Sequence, residues 1–147
     1  MIASIAATPR AATPTKVDAR AAAPTSNAAA GSLATRFSDL ALSLAESRGE
    51  LGGMEDRRSY PGDGWARWFD NTSAKLDNAA MDLYDLMPQQ RQFIHTLNHD
   101  SRALSHSGGQ MSMMEERRIP LGYGWANSLD TPIEHARQAV RLLTERA

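Results

Sequence analysis

The residues best equipped for chemistry in this chain belong to a motif that is written twice. Met54-Glu55-Asp56-Arg57-Arg58, followed by Gly62-Asp63-Gly64-Trp65-Ala66 and Asp70, returns sixty positions later as Met114-Glu115-Glu116-Arg117-Arg118, Gly122-Tyr123-Gly124-Trp125-Ala126 and Asp130. Polar, glycine and aromatic types are not what simple hydrophobic patterning repeats. A double arginine beside a glutamate can act in two ways. It can close as Glu–Arg pairs that bolt a loop to its own or the opposite copy, or it can offer guanidinium forks to a carboxylate or phosphate, which Arg grips in bidentate fashion. The second reading makes Arg57, Arg58, Arg117 and Arg118 candidate partner-binding residues, and the partner a protein with an acidic or phosphorylated surface.

Gly62, Gly64, Gly122 and Gly124 are read as structural loop residues that supply positive φ in a tight turn ahead of each Trp. Trp65 and Trp125 are read with them, as apolar plugs between the helices of each copy. Trp68 has no match in the second copy, where Ser128 stands, so it is the expected exposed contact for a partner. Gly-x-Gly-Trp lacks the third glycine, the Lys and the preceding buried strand of nucleotide loops.

His95 and His99 stand four apart, the helical spacing at which two imidazoles can share a metal, with Asp100 and His106 near in sequence. No Glu follows the first His as in zinc-protease helices, and the first copy has Thr35 and Asp39 at the matching places. A metal-binding or enzymatic protein built on His95 and His99 is therefore the alternative reading, and no metal site is assigned. The adjacent carboxylates Glu55/Asp56 and Glu115/Glu116 point apart rather than pairing for acid–base work. With no Gly-x-Ser-x-Gly elbow either, no catalytic residue and no cofactor are expected.

These loops need helices to hold them. Ser32 is the expected N-cap of a first helix with Leu33, Phe37, Leu40 and Leu44 on one face and Gly49 as its stop. A second runs from about Thr72 to Leu86, capped by Asp70 or Asn71, with Leu76, Ala79, Ala80, Leu83 and Met87 inward. Pro88 opens a third, carrying Phe93, Ile94, Leu97 and Leu104 and ending at Gly108-Gly109. Thr131-Pro132-Ile133-Glu134 forms a capping box for the fourth, with Ala136, Val140 and Leu143 inward. Loops of about twenty residues should then join the helices of each copy.

At the sixty-residue offset Phe37 maps on Leu97, Leu44 on Leu104, Leu76 on Ala136 and Leu83 on Leu143, core on core. Leu40 falls on Asp100, which predicts different exposure there. The expected fold is all-α: two tandem helix-loop-helix repeats, about 32–87 and 88–147, packed as a four-helix arrangement.

Ahead of that domain, residues 1–31 are mainly Ala, Thr, Pro and Ser, with Arg10, Lys16 and Arg20 against Asp18 for a charge of +2, which leaves −3 for the rest of a chain whose net charge is −1. So little apolar surface predicts disorder. An acid-poor segment of this kind fits a leader for a bacterial type III apparatus, an organelle transit peptide or a plain flexible tail.

The absence of a basic field argues against nucleic acid, and no apolar run is long enough for a membrane span. With no Cys, disulfides, thiolate metal sites and a thiol nucleophile are excluded. The residues thus point to a non-enzymatic protein-interaction module. Its foremost form is a small secreted bacterial effector that binds a host protein through the repeated loops; a structural or assembly subunit, or an organelle-targeted protein, is the other reading, with the bacterial cytoplasm or an organelle as location.

Overall fold

A computed structural model describes residues 19–145, with side chains over 27–145; residues 1–18 of the expected tail lie outside that span. The fold is all-α. Helices α1 (Ala19–Arg57), α2 (Trp65–Leu86), α3 (Arg91–Arg117) and α4 (Asp130–Glu145) are joined with single 3₁₀ turns at Pro88–Gln90 and Asn127–Leu129. There is no strand among the described residues. No helix among them is long and apolar enough to cross a membrane.

The inward stripes are the ones that the periodicity picks out. Phe37, Leu44, Leu76, Leu83, Leu97 and Leu143 are buried in one continuous core together with Leu51, Phe69 and Met111. Each such side chain contributes roughly 1.5–3 kcal/mol of apolar burial. This sum explains why the helices overrun their expected stops. α1 passes through Gly49, Gly52 and Gly53, and α3 through Gly108 and Gly109. Each interior glycine costs about 1 kcal/mol against alanine, and the burial of Leu51 and Met111, together with the bonds that Glu55 makes to the other copy, offsets it.

Helix starts also differ from expectation. Ser32 does not cap α1, because the alanine-rich residues before it are already helical and Ala30 is buried in the core. α2 begins seven residues before Thr72, capped at Gly64 in the left-handed region. α4 grows out of a 3₁₀ turn and begins at Asp130, so Thr131 lies inside its first turn and does not cap it. Because the helices extend at both ends, the long loops shrink to residues 58–64 and 118–126.

Packing crosses the two copies of the motif. α1 packs chiefly on α4 and α2 chiefly on α3, while the helices joined by each motif loop touch less. The two sides differ at one matched pair of positions. On the α2–α3 side, a Cβ at Gly108 would fall inside contact distance of Asp70 Oδ1 and 3.3 Å from Phe69 Cβ, so a larger residue there must turn the Asp70 carboxylate aside and push on Phe69. On the α1–α4 side the offset positions carry Arg48 and Asp130, which form an ion pair instead. That pair holds the Asp130 carboxyl below its usual range, through the Arg48 hydrogen bond and charge.

Two sets of buried polar groups are matched between helices, one across α2–α3 and one between α3 and α4. Ser73 Oγ donates to Ser101 O at 2.7 Å, and Ser101 Oγ donates to Ser73 O at 2.9 Å. Asp100 does not differ in exposure from Leu40 as expected: both are buried. The carboxylate is tolerated because Asp100 Oδ2 lies 2.6 Å from His135 Nδ1 on α4, in line with the rule that buried charges need partners.

Candidate functional site

The Met-Glu-x-Arg-Arg segment forms the last turn of α1 and of α3. Each helix ends in a six-to-one closure: Ser59 N–H donates to Met54 O at 3.1 Å, and Ile119 N–H donates to Met114 O at 3.0 Å. That closure puts one residue in the left-handed region, a place where glycine is usual. Here arginine occupies it both times, Arg58 at φ 51° and Arg118 at φ 53°. A left-handed non-glycine residue costs roughly 1–2 kcal/mol.

Each strained arginine reaches across to a tyrosine of the opposite loop. The Arg58 guanidinium stands 4.9 Å from the Tyr123 ring centroid, and that of Arg118 5.4 Å from the Tyr60 ring. Such contacts contribute about 0.5–1 kcal/mol when exposed, less than the backbone costs. Sequence reasoning missed both tyrosines, because they do not match at the sixty-residue offset: Tyr60 aligns with Pro120 and Tyr123 with Asp63. Comparing the loops for content rather than register would have found them.

The glutamates of the motif do not pair with its arginines. Glu55, 6% exposed, turns to the other copy, where its Oε2 accepts the N–H of Trp125 at 2.6 Å and of Ala126 at 3.1 Å. Glu115 Oε2 accepts the N–H of Ala66 at 3.0 Å. These N–H groups belong to the opening turns that lead into α4 and α2, where the helix dipole favours an anion. The Glu–Arg pairs of the first reading are thus not formed among the described residues, and carboxylate-to-backbone bonds tie the two copies together instead. Among the described residues, Arg57, Arg58, Arg117 and Arg118 form no ion pair, and all four are exposed. Arg57 folds back over Gly53 on its own helix.

The loop glycines follow the expectation in three places. Gly62, Gly64 and Gly124 have positive φ, whereas Gly122 does not. The loops diverge just before it: Leu121 N–H donates to Ser59 O at 2.9 Å, and the matching Pro61 has no N–H to donate to Ile119. Tyr60 OH adds a further tie to Glu115 O at 3.0 Å.

Trp65 and Trp125 are half-buried and pack on the edge of the core, Trp125 with its ring centroid 5.8 Å from that of Phe69. The fully buried aromatic of this layer is Phe69. Trp68 is not a free-standing contact. It is half-buried, edge-on to Trp65 at 5.7 Å and to Phe69 at 4.9 Å, and its Nε1 donates to Ser43 Oγ on α1 at 3.3 Å. The structure thus separates Trp68 from the arginine end and makes it a wall of the α1–α2 groove.

His95 and His99 are exposed and line different grooves, His95 beside Met81 and Tyr84 of α2, His99 beside Thr131 and Pro132 of α4. Among the described residues no group of three His, Asp or Glu side chains is placed to hold a metal. Burial pushes the Asp100 carboxyl above its usual range, against the opposing pull of His135 and His99.

In comparisons with known proteins, the chain matches no family model, no curated protein and no solved structure.

Proposed function

We propose that the chain is a non-enzymatic protein-interaction module whose contact surface is the end of the bundle formed by the two motif loops. One observation supports this above all. The repeated motif divides its charges, with Glu55 and Glu115 turned inward onto backbone N–H groups while Arg58 and Arg118 are held outward in a backbone conformation that arginine does not favour. Strain kept at paired positions is the pattern expected of functional residues.

The tyrosines pre-orient the guanidinium planes, leaving their N–H edges for a ligand. Arg117 stands beside Arg118, and Ile119 and Tyr123 add exposed apolar surface. Aromatic and arginine side chains around an apolar patch are the composition of protein contact sites. The partner is a protein segment with carboxylate or phosphoryl groups, which the arginines would grip in bidentate fashion.

The delivery part of the reading, a small secreted bacterial effector that enters a host cell, rests on the acid-poor Ala/Thr/Pro composition of residues 1–31. The test is capture from host lysate and from arrays of acidic and phosphorylated peptides, with wild type set against the Arg58→Gly/Arg118→Gly variant. Retention of a discrete ligand by wild type and its loss from the folded variant supports the reading. Equal retention by both overturns it.

A further inference from the structure

The groove between α1 and α2 has features of a ligand site that the arginine surface does not use, and we propose that it binds a sugar ring. This open groove holds about 470 Å³, within the range of roughly 300–1,000 Å³ usual for small-molecule sites. A side-chain bridge joins the two helices near each end of it. At one end Trp68 Nε1 donates to Ser43 Oγ at 3.3 Å, and at the other Arg36 pairs with Asp82 at 2.5 Å.

Between the bridges, Asp39, Asn71, Lys75 and Asn78 line the groove, and among the described residues none of them has a side-chain hydrogen bond or ion pair. Thr72 adds a second kind of evidence. It is only 4% exposed, it lines the groove, and its hydroxyl has no partner among the described residues. A buried hydroxyl without a partner is costly, and a ligand hydroxyl in the groove would satisfy it.

The corresponding groove on the other side serves as an internal comparison. Between α3 and α4 the volume is about 230 Å³, and at the offset positions Ser128 replaces Trp68, Pro132 replaces Thr72 and Ala103 replaces Ser43. Its buried acid, Asp100, is already taken by His135. Among the described residues, the α1–α2 groove has an indole wall and a buried hydroxyl without a partner, and the α3–α4 groove has neither.

The ligand class follows from the chemistry of the lining. A carboxylate and an ammonium together favour neither a plain anion nor a plain cation. Carboxamides and hydroxyls both donate and accept, as sugar hydroxyls do. An indole presents an electron-rich face to which the C–H side of a pyranose is complementary, and the contacts with Trp65 and Phe69 hold that indole in place.

The experiment uses the full chain, with methyl glycosides of glucose, galactose, mannose and N-acetylglucosamine as probes. Binding is read by calorimetry and by the indole N–H signals in a ¹H–¹⁵N spectrum, with Trp68 assigned through Trp68→Phe. At least one glycoside is expected to saturate the site with Kd of about 10 mM or below and to shift the Trp68 signal, and Asp39→Ala and Thr72→Val are expected to weaken it at least about tenfold. Arg58→Gly/Arg118→Gly is expected to leave it unchanged, which keeps this result separate from the partner-binding reading. The proposal is overturned if no glycoside moves the Trp68 signal, or if binding survives undiminished in the exposed-site variant Asp39→Ala.

Discussion

Glu55 Oε2 accepts the backbone N–H of Trp125 at 2.6 Å, from 70 residues away in sequence. The carboxylate lies in the last turn of its own helix, where the dipole disfavours an anion, and on the opening turn of the opposite segment, where the dipole favours one. Because it is buried and makes two such bonds, removing it leaves two N–H groups without an acceptor. Glu55→Ala is expected to cost about 2–3 kcal/mol in urea unfolding, since bonds to charged groups contribute roughly 1.5–3 kcal/mol. Glu115→Ala, with one bond at a half-buried site, should cost about 1 kcal/mol. Equal costs would mean that the two glutamates do not act as this geometry implies.

The arginine positions separate stability from binding. Replacing Arg58 and Arg118 by glycine relieves about 1–2 kcal/mol of left-handed strain at each and removes about 0.5–1 kcal/mol of stacking on tyrosine. The double glycine variant should therefore melt at or slightly above the wild-type temperature. Arg58→Ala keeps the strain and loses the stacking, so it should melt lower. If the glycine variant proved much less stable than the alanine one, the side chains would be structural after all.

Two neighbouring glycines in α3 should respond in opposite directions. A Cβ at Gly108 meets Asp70 and Phe69, whereas a Cβ at Gly109 meets no atom within 4 Å. Gly108→Ala is expected to cost about 1–3 kcal/mol through overpacking, and Gly109→Ala to add about 0.5–1 kcal/mol through helix propensity. Denaturant midpoints of the two variants check this, and a neutral Gly108→Ala would show that Asp70 and Phe69 give way there without cost.

Asp100 gives a pH signature. Burial raises its folded carboxyl above the ordinary value of 3.8, so between that value and the raised one the folded state holds a proton that the unfolded chain has released. Stability then falls as pH rises through this window. Asp100→Asn keeps an acceptor for His135 and has no proton to release. The difference in melting temperature between wild type and variant should shift in the variant's favour as pH rises above about 4 and level off once Asp100 is ionised. A difference that stays flat with pH would rule out the raised carboxyl.

How much of this was legible beforehand can be judged from single residues. Phe37, Leu44, Leu76, Leu83, Leu97 and Leu143 were placed in the core by helical spacing alone, since a face of period 3.6 is a local property of the chain. The motif pairs Arg58/Arg118 and Gly64/Gly124 were likewise visible, because duplication is written in the letters. Helix ends were not. Gly49 and Gly108 look like stops to any local rule, and only the burial of Leu51 and Met111 beyond them, together with the bonds that Glu55 makes to the other copy, carries the helices on.

The residues of the candidate sites divide in the same way. Their types and their recurrence are set by the amino-acid order: two arginines and a glutamate at each helix end, a lone Trp68, an acid at position 100 where its counterpart is leucine. Their partners are set by packing between helices: the two copies meeting end on bring Glu55 to Trp125 and Arg58 to Tyr123, the α3–α4 contact brings Asp100 to His135 and the α1–α2 contact brings Trp68 to Ser43. Short-range periodicity acts over one or two helical turns, whereas these pairs are joined by packing between elements far apart in the chain, and that is why the tertiary structure alone decided them.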